Sequence, residues 1–407
     1  MIAFEPTEDQ RLMQDAVAEF AKATLLPRTR ELEHARGVPE DIRRTAHEMG
    51  LGLVSVPEAA GGQGQGLVTA VLIEEELGAA DAAAAFGLAG PGAFGRAVIE
   101  LGGPERAAEL LAGFAEEGGW DRFGAVAWSE PGPCRTHEGF ATKAERTDEG
   151  YRITGKKAFV GNAALADRFL VFAQVEPERG WGGIGAFVVQ RDNTGIRVGE
   201  RHKTLGLDAA SFGEVVLEGA VVRDADRLHG DGGEEGFTRA ALRFFVKHAL
   251  VVAARAVGLS RFAFELAREH CDTRVAFGKP IGHFQAVAFT LADRAMDVET
   301  SRWLVWKAAA AWDAGLPERD ALLASARAAA HAFEATMRTA DDCVQLFGGS
   351  GFIRDLVAEK LMRDAKQLML AAPTAEQLDQ LASAIELGQK LDPALVLPTP
   401  DTQAIFT

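Results

Sequence analysis

The sequence predicts a mainly α-helical chain with a central β-barrel. The expected parts are an N-terminal helical domain over residues 1–122, a barrel over 123–233, a helical bundle over 234–391 and an extended tail over 392–407. Three observations carry this. Apolar residues recur at helical spacing through the first third. Near Phe123 the texture changes to short β-prone runs separated by turn residues. From Gly236 onward, Ala-rich stretches are long enough to lie side by side as an antiparallel bundle.

The first helix starts at Thr7-Glu8-Asp9-Gln10, a capping box with Thr7 as N-cap and Gln10 reaching back. Leu12, Ala16, Phe20 and Ala23 form its expected apolar stripe, and Pro27 is its expected end. A second helix is predicted from Pro39 to Met49, with Gly50 as its cap. Gly61 to Gly66 is a loop, followed by a helix from Leu67 to Leu77 and two more up to about Phe114. The β-prone runs are 151–155, 169–173, 185–189 and 213–217. Breaks in the bundle are expected at 279–280, 315–317 and 348–351, and the prolines at 393, 398 and 400 make the tail extended.

Composition narrows the function. A net charge of -16 argues against a duplex nucleic-acid partner, which requires a basic face. A few placed arginines can still hold a phosphate-bearing small molecule. The N-terminus lacks a basic start followed by an apolar stretch, so no signal peptide is expected. No apolar run is long enough to span a bilayer, so no membrane association is expected. Cys134, Cys271 and Cys343 are far apart and offer no metal spacing, which suits a reducing cytoplasm.

Generic catalytic motifs fail. Gly62, Gly64 and Gly66 follow no strand, so they are not a dinucleotide fingerprint. His47-Glu48 has no second histidine one turn later. Ser350 lacks the spacing of a nucleophile elbow.

Four segments, in order, are distinctive: Trp128-Ser129-Glu130-Pro131-Gly132, the run Arg274 to Gln285 (RVAFGKPIGHFQ), Gln345 to Gly351 (QLFGGSG), and Glu359 to Lys366 (EKLMRDAK). They resemble the flavin loop, the R-x-x-F-G-x-P-I-x-x-F-Q signature, the Q-x-x-G-G-x-G segment and the pre-catalytic helix of the acyl-CoA dehydrogenases. The resemblance covers almost the whole chain. It implies FAD, an acyl thioester of CoA or a carrier protein, and reoxidation by an electron-transferring flavoprotein. It also implies the family's three-part fold, ending in a four-helix bundle. By resemblance, Ser129, Phe159, Gly161 and Thr374 lie at the flavin. Arg274, Phe277, Gln285, Gln345, Gly348 and Gly349 hold the adenine-side half of FAD bound in a neighbouring subunit. A planar guanidinium at Arg274 suits a pyrophosphate, and glycines allow close backbone approach. A dimer or dimer of dimers follows.

The reacting centre departs from the family. Counting from Arg363, the usual catalytic glutamate is Ala372, followed by Pro373 and Thr374. The alternative position for the base, on the first bundle helix, is His248, whose imidazole is a base near neutral pH or a hydrogen-bonded core residue. Gly161 lacks the family's hydroxyl, and Arg135 replaces a substrate-side serine. Three readings follow: a dehydrogenase using His248 or another base; a catalytically deficient subunit completing the FAD site of a competent partner in a hetero-oligomer; or an oxygen-using flavin enzyme. A DNA-associated branch of the family fits poorly with so acidic a chain.

Overall fold

A computed structural model describes residues 5–132, 139–230, 233–389 and 391. The predicted tail and Arg135 lie outside the described residues. The capping box forms as expected at the start of α1 (Glu8–Phe20). The Gln10 N–H donates to Thr7 Oγ1 at 3.3 Å and the Thr7 N–H donates to Gln10 Oε1 at 3.0 Å. The buried stripe differs from expectation: Val17 and Phe20 are buried, whereas Leu12 is 64% exposed. A 13-residue helix offers more than one apolar stripe, and packing against α4 selects one. Pro27 does not end the helical path. A π turn (Ala21–Leu25) and a 3₁₀ turn (Leu26–Arg28) lead into α2 (Thr29–Ala35). Pro27 sits in the first turn of the 3₁₀ segment, where its missing N–H costs nothing.

After α3 (Glu40–Glu48), Gly50 turns the chain with φ 72°. Two longer elements follow, α4 (Leu67–Gly87) and α5 (Gly92–Leu111). The first is broken at Asp81, which leaves helical geometry and caps the second half by accepting the Ala83 and Ala84 N–H groups at 2.9 and 3.0 Å.

The middle of the chain forms β1 (Gly124–Ala127), β2 (Lys143–Thr147), β3 (Gly150–Val160), β4 (Arg168–Gln174), β5 (Ile184–Gln190), β6 (Ile196–Arg201), β7 (Gly213–Val222) and β8 (Arg227–Leu228). The four β-prone runs fall within β3, β4, β5 and β7. The strand order is β6-β7-β3-β2-β4-β5-β8, with β1 parallel beside β4. These pairings form a mixed strip, and among the described residues none joins β6 to β8, so the expected closed barrel is not seen. Residue alternation locates the buried faces of strands but does not decide how edges pair.

The sheet is covered on both sides. Ile153, Phe169, Val171, Phe187 and Leu217 fill a core of its own. Leu170, Phe172, Ala186 and Val188 join the helical core instead. The latter is built by α6 (Gly233–Thr273), α7 (Gln285–Asp313) and α8 (Glu318–Leu346), with α9 (Ala358–Leu368) and α10 (Ala375–Glu386) against α8. α4 packs along α6, so the N-terminal helices and the bundle share one interior. The site lies where this interior meets the sheet.

Candidate active site

A cavity of about 1010 Å³ lies between the sheet and helices α4, α5 and α6. It is lined by Ser129, Phe159, Gly161, His248, Ala372 and Thr374, residues separated by up to 245 positions in sequence. The sheet supplies one wall. Phe159 holds a left-handed backbone (φ 56°) with its ring 58% exposed. Its N–H donates to His202 Nε2 at 3.4 Å, and the two rings lie 4.9 Å apart. An exposed aromatic in a costly conformation is a poor way to stabilise an isolated fold and a good platform for a planar ring. Gly161 is not forced by crowding, because an added Cβ would meet only the Phe212 ring, at 3.6 Å.

Beneath this wall the flavin-loop segment is anchored by an ion pair that the sequence did not disclose. Lys157, fully buried on β3, donates to Glu130 Oε1 and to the Trp128 carbonyl, both at 3.0 Å. Glu130 also accepts the N–H groups of Ala141 and Thr142 at 2.7 and 2.9 Å. Burial pushes the Lys157 ammonium down to about 8, against the pull of Glu130. Trp128 packs edge-on against Phe140, Phe172 and Phe245. Lys157 lies two residues beyond the β-prone run 151–155, and a lysine there was the available signal.

The opposite wall holds Ala372, the position that the resemblance aligns with the family's glutamate. Ala372 lines it with a methyl group, and Pro373 follows. Thr374 is the N-cap of α10 in a second capping box: its Oγ1 accepts the Gln377 N–H at 3.4 Å, and its N–H donates to Gln377 Oε1 at 2.9 Å. Glu376, one turn on, faces solvent. His248, on α6, is buried and stacked parallel to Phe244. Its Nδ1 lies 3.2 Å from an Arg96 guanidinium nitrogen, and it is also hydrogen-bonded to the backbone of Ala371. Burial, then the positive charges of Arg96 and Arg255, hold it well below the ordinary histidine range. It is therefore neutral at pH 7, with Nδ1 accepting and Nε2 donating. Neither nitrogen can take a substrate proton without losing its partner.

Two carboxylates line the cavity among the described residues, Glu74 and Glu130. Arg255 grips both oxygens of Glu74, at 2.5 and 2.8 Å, and Lys157 holds Glu130. Arg96, Glu74 and Arg255 escaped the sequence reading, although charges inside apolar helical stretches mark them as buried.

The other predicted residues gather elsewhere. Arg274 at the end of α6, Gln285 at the start of α7, and Gln345, Gly348 and Gly349 at the end of α8 share one end of the bundle, all exposed. Stacking of His270 on Phe347, with ring centres 4.1 Å apart, ties two of these helix ends together. Arg274 has no ion-pair partner among the described residues. Phe277 is 97% exposed in a left-handed conformation (φ 52°). None of these residues lines the cavity.

Comparison with known families identifies the chain's family. The family models for the acyl-CoA dehydrogenase N-terminal, middle and C-terminal domains match residues 7–118, 125–220 and 234–385. The chain belongs to the acyl-CoA dehydrogenase family. It is a flavoenzyme dehydrogenase by type, with FAD as its cofactor. Cyclohex-1-ene-1-carbonyl-CoA dehydrogenase of Geobacter metallireducens is 35% identical over 360 residues, 88% of this chain and 93% of that one. Benzylmalonyl-CoA dehydrogenase of Aromatoleum aromaticum is 31% identical over 376 residues, 92% and 97% of the two chains. The structure of butyryl-CoA dehydrogenase from Megasphaera elsdenii superposes with a TM-score of 0.85 at 28% identity, covering 95% of this chain and 100% of that one. An FAD complex of PigA shares the fold, with a TM-score of 0.83 at 22% identity, covering 95% and 99% of the two chains.

Proposed function

We propose that this acyl-CoA dehydrogenase-type oxidoreductase binds an acyl thioester against the flavin face of the cavity, with no conventional carboxylate to remove an α-proton. One observation carries the reading: Ala372, which the resemblance aligns with the family's glutamate, offers the cavity only a methyl group, and both carboxylates that line it among the described residues are already ion-paired. The residues present fit FAD. Phe159 offers an exposed ring where a planar heterocycle can stack, beside the Trp128-Ser129 segment. The bound flavin would supply hydride-accepting redox chemistry.

Arg274, Gln285, Gln345, Gly348 and Gly349 are assigned to FAD shared with a neighbouring chain. Gly349 supports this. Among the described residues nothing lies within 4 Å of an added Cβ, and no positive φ requires glycine there. His248 is assigned to hold Arg96, rather than to act as the base. The substituted centre also favours the reading of a subunit that completes a competent partner's site. Separate expression distinguishes the two. A flavin-poor chain that turns yellow with a glutamate-bearing family member supports the heteromer, and full occupancy alone removes it.

The general test is anaerobic stopped-flow bleaching of the flavin by acyl-CoAs. Wild-type bleaching is expected to be slow, by the roughly 10²–10⁴-fold of a lost general base. Ala372→Glu combined with Pro373→Gly should accelerate it, because the proline otherwise restricts residue 372 to extended conformations. Wild-type bleaching at the rate of that double variant would overturn the reading.

A further inference from the structure

Arg96 has no role in the scheme above, and its surroundings are unusual. It projects from α5 into the cavity, where its nearest polar contact is a neutral ring, His248 Nδ1 at 3.2 Å. Its Nε is buried with no hydrogen-bond partner. The nearby acid cannot serve it, because Arg255 engages both oxygens of Glu74. Of the remaining lining charges, Glu130 is paired with Lys157, and Lys203 is exposed. The paired charges cancel, so among the described residues the interior of the cavity keeps one positive charge in excess. Burial and the like charge of Arg255 hold the Arg96 guanidinium down to about 10, against the attraction of Glu74, so it is still charged at pH 7. The side chain is partly buried, and a partly desolvated cation without a counter-ion is costly unless a ligand supplies one.

Building on the acyl-thioester reading, we propose that the cavity selects acyl groups bearing their own carboxylate, and that Arg96 is the residue that pairs with it. A guanidinium presents a planar fork that matches a carboxylate with two parallel hydrogen bonds. His248, accepting from one nitrogen, positions that fork and leaves the remaining N–H groups for the ligand. A neutral acyl chain would leave Arg96 desolvated and unpaired, so the same residue rejects it.

The test uses the flavin-loaded protein as purified, with any partner chain it retains. Binding is measured by titration calorimetry for succinyl-, glutaryl- and adipyl-CoA. Each is paired with a neutral analogue in which an isopropyl group replaces the carboxylate, such as 5-methylhexanoyl-CoA for glutaryl-CoA. At least one acidic thioester should bind roughly 30-fold or more tightly than its neutral match, the scale of a buried charge pair. Arg96→Met should erase that preference, keep flavin content and tighten the binding of neutral chains, and Arg96→Lys should retain part of the preference. Free glutarate at equal concentration should compete weakly, which separates a carboxylate on the acyl chain from a free anion. Equal binding of acidic and neutral thioesters, or a preference that survives Arg96→Met, overturns this inference alone. Loss of flavin from Arg96→Met overturns it too, by assigning the residue to the cofactor. No binding of any acyl-CoA overturns the acyl-thioester reading and this inference together.

Discussion

At the residue scale, the cavity shows how burial decides what a side chain can do. His248 stands where a base is expected, but Arg96 and the Ala371 backbone occupy both ring nitrogens. This has a measurable consequence for stability. The unfolded chain protonates His248 near 6.5, and the folded chain only well below that. Between those values the unfolded state binds more protons, so folding stability falls as pH drops below about 6.5. The slope from this one residue reaches about 1.4 kcal/mol per pH unit. His248→Asn, which cannot become charged, should reduce the slope by that amount in urea denaturation series between pH 5 and 7 (roughly the window of interest). An unchanged slope would mean that the imidazole is not held neutral.

At the scale of elements, the joints matter more than the elements. Asp81 interrupts α4, caps its second half and accepts from Lys360 of α9 at 3.2 Å; Lys360 also reaches Asp364 at 2.6 Å. Thr29 of α2 donates to the same aspartate. Asp364 in turn accepts the Leu207 N–H at 2.6 Å, from the segment between β6 and β7. One buried cluster therefore ties two N-terminal helices, the sheet connection and the helix before Ala372. Asp81→Ala should destabilise the protein by about 3–5 kcal/mol, because it removes a cap and half of the acidic pairing of a buried lysine. Chemical denaturation measures this, and a loss below 1 kcal/mol (roughly a surface pair's worth) would show that Asp364 suffices. The domain limits at 122/123 and 233/234 remain our proposal, and limited proteolysis there would test them.

For the whole molecule, we propose that the exposed face of the bundle meets another chain. Phe289, Met296 and Trp303 recur at seven-residue spacing along α7, and are 60%, 66% and 41% exposed. A helix that displays such a stripe is matched by a partner helix. Arg274 and the exposed Phe277 lie in the connection that leads from α6 into α7. Met296→Asp should shift the assembly toward single chains in analytical ultracentrifugation and lower flavin content with it. Arg274→Ala should lower flavin content while leaving the assembly intact. If both variants keep full flavin, the adenine-side half of FAD is held within one chain.

Much of this was legible in the sequence. Capping boxes, glycine turns and apolar periodicity are local effects of backbone hydrogen bonding and burial, so α1, α3, the β-prone runs and the long bundle helices could be placed in advance. The motif resemblance likewise located Ser129, Phe159, Gly161, His248, Ala372 and Thr374, which do meet in one cavity. Which face of α1 is buried was decided by α4, and how the sheet edges pair was decided by tertiary packing. The same holds for the charges of the cavity. The sequence names Glu74, Arg96, Glu130, Lys157, His248 and Arg255, but their roles depend on which of them meet across the fold. Only the tertiary structure pairs Glu74 with Arg255 and Glu130 with Lys157, and so leaves Arg96 without an ion-pair partner among the described residues. In a low-dielectric interior, function follows from what remains after such pairing, and pairing depends on distance in space rather than along the chain.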